Sequence, residues 1–99
     1  MREVIKDGVY QSTDNDGEVM LTITALGNNI YRAVNKFWVI TAEVIPLDEY
    51  RTSTRCIENK KADKNGKFRK SKALAEQNTN WLRYMLEEKG FIRKAKTMK

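Results

Sequence analysis

Short stretches of alternating apolar and polar residues fill the first 58 positions, and a helical period follows near the end. Glu3–Lys6 and Val9–Ser12 flank Asp7-Gly8. An Asp-Gly pair between β-prone residues predicts a tight hairpin, because both turn positions need positive φ. A turn cluster, Ser12–Gly17, precedes Glu18–Leu26, which reads as a strand. Val19, Leu21, Ile23 and Ala25 share one face of it; Met20, Thr22, Thr24 and Leu26 share the other. Gly27-Asn28-Asn29 predicts another turn. Ile30–Val34 and Phe37–Ile45 follow, either as two strands around Asn35-Lys36 or as one long bulged strand. The second segment is apolar on both faces, so Trp38–Val44 is the expected centre of the core. Pro46 should end that strand, since it lacks an N–H for the ladder. Leu47–Tyr50 suggests one helical turn. Thr52–Glu58 is β-prone but polar, as suits an edge strand.

From Ser71 to Lys89 the period lengthens to that of a helix, with Ser71 a candidate N-cap and Gly90 at C′. Leu74, Ala75, Trp81, Leu82, Met85 and Leu86 fall within an arc of about 140°, wide enough for a core-facing stripe. Asn78 lies inside that arc. Either it is buried with a partner, or the helix begins later, capped by Asn78 or Thr79. Phe91-Ile92 adds a short strand or packs back on the core. Residues 93–99 form a basic tail, expected to be mobile.

The predicted fold is therefore α+β: an antiparallel strand meander followed by one C-terminal amphipathic helix, in a single domain over residues 1–92. The number of short strands allows the sheet to curl into a small SH3-like or OB-like barrel.

Charge changes the picture. The chain of 99 residues carries a net charge of +6, with 19 Lys and Arg against 13 Asp and Glu. That excess is local. Asn59–Lys72 holds seven cations, Lys60, Lys61, Lys64, Lys67, Arg69, Lys70 and Lys72, against the single acid Asp63. The tail adds Arg93, Lys94, Lys96 and Lys99, whereas the first 58 residues are mildly acidic. Two concentrated basic segments form an electrostatic footprint rather than general solubilising charge. Flanking one helix, they could lie on one side of the molecule. Asn65-Gly66 marks a tight turn in the tract, which is either a hairpin tip or an irregular loop.

Enzyme chemistry has little to draw on. There is no histidine, hence no ordinary general base near neutral pH and no Ser-His or Cys-His nucleophile pair. The single cysteine, Cys56, allows no internal disulfide and no metal site alone; a half-buried small residue is expected there. The Asp14–Glu18 run and Asp63-Lys64-Asn65-Gly66 fit turn chemistry better than a Ca²⁺ loop. Glu43 with Asp48 and Glu49, or Asp14 with Asp16 and Glu18, could hold Mg²⁺ in a nuclease-like site, without a spacing signature. No cofactor motif is present. No apolar run approaches the roughly 20 residues of a membrane span, and no signal peptide is visible, so a cytoplasmic location is expected, host cytoplasm if phage-encoded.

The first functional expectation is a small non-enzymatic binding protein for DNA, RNA or a nucleoprotein machine. Lys60, Lys61, Lys64, Lys67, Arg69, Lys70 and Lys72 would bind phosphates, assisted by Arg93, Lys94 and Lys96. Phe68 could stack on an unpaired base or anchor the loop to the core. The helix is a poor groove reader, since its exposed face carries Glu76, Glu87 and Glu88. The second expectation is an inhibitor or adaptor docking on an acidic protein surface; the third is the carboxylate nuclease. The general look is that of a phage or mobile-element accessory protein, although no motif carries that likeness.

Overall fold

Seven strands and one helix build the chain in the computed structural model, which describes residues 2–97. The strands are β1 (Arg2–Lys6), β2 (Val9–Thr13), β3 (Val19–Gly27), β4 (Ile30–Val34), β5 (Trp38–Pro46), β6 (Thr52–Ala62) and β7 (Phe68–Lys70); α1 spans Ala75–Glu88. Each strand pairs antiparallel with the next, giving one sheet in chain order from β1 to β7.

Turn chemistry sets this meander. Asp7 and Gly8 both have positive φ, 53° and 76°, as their hairpin requires. Asn28 and Asn29 do the same between β3 and β4, at 56° and 63°. Asn35 turns β4 into β5 with its side chain, Oδ1 accepting from the N–H groups of Phe37 and Trp38, both at 2.8 Å. β4 and β5 are thus two strands. Leu47–Tyr50 is not a helical turn: Asp48 Oδ1 accepts from the N–H groups of Tyr50 and Arg51, which closes a loop between β5 and β6.

The sheet does not close into a barrel. β1 and β7 are its two edges, and β7 is only three residues long before the chain leaves for the helix. The core is covered instead by α1, which packs on β5 and β6. Tyr10, Ile23, Ala33, Ile40, Ala42 and Val44 from the sheet meet Leu82 and Leu86 from the helix, all buried. Burying each such leucine contributes about 1.5–3 kcal/mol. Trp38, Trp81, Met85, Phe91 and Ile92 pack around them, so Phe91-Ile92 returns to the core rather than forming a strand. Phe91 meets Tyr31 edge to face at 6.1 Å.

The helix is shorter than its periodicity predicts. Ser71 does not cap it; Ser71 Oγ accepts from the Ala73 N–H, shaping the approach. Leu74 at the helix entrance is left-handed, with φ 55°, and is exposed, so it leaves the predicted stripe. At the other end Gly90 has φ 80°. The Phe91 N–H reaches the Leu86 carbonyl at 2.9 Å and the Gly90 N–H reaches Glu87 at 3.2 Å, the paired bonds of a Schellman ending.

Among the described residues, no helix covers the other face of the sheet. Cross-strand register places Arg32, Thr41 and Glu58 in one row of it, and Val34, Val39, Lys60 and Lys70 in the next. Among the described residues no helix is long and apolar enough to cross a membrane.

Candidate functional site

The basic tract is a β-hairpin rather than a free loop. β6 continues to Ala62, four residues past the predicted edge strand, and β7 pairs with its outer side. Val39 and Trp38 of β5 give Lys60 and Lys61 a strand to pair with, and this pairing extends β6 into the lysines. At the tip, Asp63 Oδ1 accepts from the N–H groups of Asn65 and Lys67 at 2.8 and 3.0 Å. Gly66, at φ 81°, supplies the positive-φ residue that closes the loop. Asp14–Glu18 folds the same way: Asp14 Oδ1 accepts from Asp16 and Glu18, and Gly17 has φ 82°. Both acidic runs therefore serve turns. The Asp48 carboxylate is likewise engaged, by its own loop and by Arg51 at 2.9 Å.

Alternation divides the hairpin's side chains. Lys61 and Arg69 share the helix-side face with Trp38, and the Lys61 Nζ lies 5.8 Å from the Trp38 ring centre. Arg69 Nε donates to Asp63 Oδ2 at 3.0 Å. Arg69, with the Lys67 and Asn65 N–H groups, holds the Asp63 carboxyl below its ordinary value. Lys60 and Lys70 share the helix-free face. Lys60 meets Glu58 at 3.1 Å, and this hydrogen bond, aided by Thr41, holds the Glu58 carboxyl below its ordinary value despite partial burial. Arg32 Nε donates to the Thr41 hydroxyl, which donates to Glu58 Oε1, each at 3.1 Å. This network explains how Thr41, on the uncovered face, is only 3% exposed.

Four cations remain. Lys64 and Lys67 at the tip, Lys70 on β7 and Lys72 beyond it have no carboxylate partner among the described residues. After Ser71, whose N–H still reaches the Asn59 carbonyl of β6 at 2.9 Å, the chain turns toward α1, and a groove of about 680 Å³ opens. Arg32, Thr41 and Glu58 line it from the sheet, Cys56 and Ile57 from β6, and Lys70, Ser71, Lys72 and Ala75 from the chain entering α1. Cys56 is exposed here, not half-buried as expected. Its strand neighbour on the outer side is missing, because β7 pairs only with Lys60–Ala62.

The tail does not join this surface. Lys96 pairs with Glu49 at 2.9 Å, in the loop between β5 and β6, at the far end of β6 from the hairpin tip. Lys94 pairs with Glu88 at 3.3 Å, and the Ala95 N–H donates to Glu87 Oε2 at 2.7 Å. As far as Lys96 the tail lies against carboxylates of its own molecule. Arg93 is exposed beside it. Residues 98 and 99 of the tail lie outside the described residues.

Two aromatic residues complete the hairpin's outer end. Phe68 is half-buried in β7 and is not part of the core cluster. Phe37, expected at the start of the strand Phe37–Ile45, is 65% exposed. Its carbonyl accepts the Ala62 N–H at 2.8 Å, so it extends the β5–β6 ladder by one residue. No sequence signal singled it out, since its exposure depends on which face α1 covers.

Comparison of the chain with protein-family models, with curated proteins and with solved structures returns no match.

Proposed function

We propose that the protein is a non-enzymatic binder of nucleic acid, holding the phosphate backbone on the β6–β7 hairpin and the lip of the groove behind it. One observation carries this reading: Lys64, Lys67, Lys70 and Lys72 follow one another along a single arm without carboxylate partners, and the arm's one acid is committed to Arg69 and the turn. Cations so placed exchange their counterions for phosphates, giving affinity that falls steeply with salt. The opposite polarity has little to offer. Glu3, Glu18, Glu43, Asp48, Glu49 and Glu58 each face a cation of the same chain, so the acidic first 58 residues present no continuous negative face. An exposed, unpaired Cys56 suits a reducing cytoplasm, where nucleic acid is also found.

The test is a salt titration of oligonucleotide binding with the wild type and with Lys64, Lys67, Lys70 and Lys72 all changed to Gln. Each phosphate contact contributes a slope of roughly −0.7 to −0.9 in log K against log salt. The variant should lose most of that slope and most of the affinity. Unchanged binding, or polyglutamate displacing the oligonucleotide as well as unlabelled nucleic acid does, would move the arm to an acidic protein partner.

A further inference from the structure

Phe37, the residue just before β5, stands in one row with Ala62 of β6 and Phe68 of β7. Phe37 accepts the Ala62 N–H, and Ala62 pairs with Phe68. Trp38 packs toward the helix, and since Phe37 extends the same ladder by one residue, alternation puts it on the opposite, helix-free face. With adjacent strands about 4.8 Å apart, the Cα atoms of the two phenylalanines are about 10 Å apart. Only the methyl group of Ala62 lies between them. The next row on the same face is Val39, Lys60 and Lys70.

At 65%, Phe37 is the most exposed large hydrophobic among the described residues, and transfer of that ring to water is unfavourable. Placed one row from two lysines, and beside a tip carrying two more, the rings have a use. We infer that the nucleic acid is single-stranded, and that its bases stack on Phe37 and Phe68 while its phosphates meet Lys64, Lys67 and Lys70. This rests on the nucleic-acid reading above and names its substrate class. A duplex keeps its bases stacked on one another and offers no free π-face to these rings. A single strand does, and every base has one, so the site selects strandedness and not sequence. Ala62 is the permissive residue of the row: a larger side chain there would fill the space between the rings.

The experiment measures fluorescence anisotropy with labelled single-stranded DNA and RNA of roughly a dozen nucleotides, and with a duplex of the same length. Wild type, Phe37→Ala, Phe37→Trp and Lys70→Gln are compared across salt. Phe37→Ala should weaken single-strand binding roughly five- to hundredfold with the salt slope unchanged. Phe37→Trp should restore it, and duplex affinity should not respond to either change. Lys70→Gln should lower the slope for both ligands. Phe37 is exposed, so its replacement leaves the core intact; circular dichroism melting checks this. Equal binding of duplex and single strand, with Phe37→Ala silent, overturns the stacking site and leaves the phosphate-binding arm standing. Absence of binding to any oligonucleotide at low salt overturns both.

Discussion

The side-chain amides of Asn59 and Asn78 are bonded to each other, Asn78 Nδ2 donating to Asn59 Oδ1 at 3.0 Å. The Asn59 Nδ2 donates in turn to the carbonyls of Ser71 and Ala73, at 2.8 and 3.0 Å, and the Ser71 N–H returns to the Asn59 carbonyl at 2.9 Å. One residue of β6 therefore fastens both the chain entering α1 and the helix's first turn. Asn59 is 8% exposed, so its removal strands several polar groups away from water. Asn59→Leu should destabilise the fold by about 2–4 kcal/mol, read as a lower urea midpoint. Asn59→Asp should fall between, because a carboxylate still accepts from Asn78 but meets the two carbonyls unfavourably. Equal stability of all three proteins would show that the link is held by packing alone.

The polar member of the helix stripe was legible as a problem in the sequence, and the structure solves it by the first of the two routes considered: Asn78 is half-buried with a partner. The meander was legible because its turns carry Asp-Gly, Asn-Asn and Asx chemistry that few other conformations accept. The helix start was not. Ser71 looks like a cap, but its carbonyl and N–H are taken by Asn59, a partner twelve residues away that no local pattern reveals. The basic tract was legible as charge, yet its division into two faces depends on the register of Lys60–Ala62 against β7. The tail's separation from the tract follows from where Glu49 sits, at the other end of a long strand. Tertiary pairing decided each of these, and periodicity carries no information about it.

Leu74 is a left-handed residue with a branched side chain, and it is 53% exposed. That conformation costs an L-residue other than Gly or Asn about 1–2 kcal/mol. Its side chain lies outside the core cluster and the residues packed against it. Leu74→Asn should therefore stabilise the protein by about 0.5–1 kcal/mol, visible as a higher thermal midpoint. A lower midpoint would mean that Leu74 makes an apolar contact important to the helix approach.

Gly90 is left-handed for the opposite reason, because the Schellman ending demands it. Its φ of 80° leaves an added Cβ strained although no atom lies within 4 Å of it. Gly90→Ala should destabilise by about 1 kcal/mol. The loss should also loosen Phe91 against Tyr31, so the ring resonances of both should shift in NMR spectra. Retained shifts with unchanged stability would rule out a conformational demand at this position.

Tail and hairpin should separate in binding experiments. Changing Lys94 and Lys96 to Gln removes ion pairs with Glu88 and Glu49 and no unpaired hairpin cation. Exposed pairs of this kind each contribute about 0–1 kcal/mol to stability. Oligonucleotide affinity and its salt slope should stay at wild-type values, whereas Lys64→Gln with Lys67→Gln should lower both. A tail variant that loses as much slope as the hairpin variant would place the phosphates across the whole molecule.

The hairpin tip should open in acid. Asp63 is held below its ordinary value of 3.8, first by Arg69 and then by the Lys67 and Asn65 N–H groups. A depressed folded-state pKa means that the folded form binds the proton more weakly than the unfolded form does. The stabilising contribution is therefore complete above 3.8 and is lost as pH falls below it through the folded value. Amide resonances of Asn65 and Lys67 should move together with the Arg69 Nε resonance as pH falls below 3.8. Asp63→Asn should remove that shared transition, because an amide oxygen can still turn the loop but carries no charge for Arg69. It should also free Arg69 and raise the arm's net charge by one, so oligonucleotide binding at neutral pH should tighten if the loop keeps its shape. Independent transitions for the three groups would show that the turn and the Arg69 contact are not held by one carboxylate.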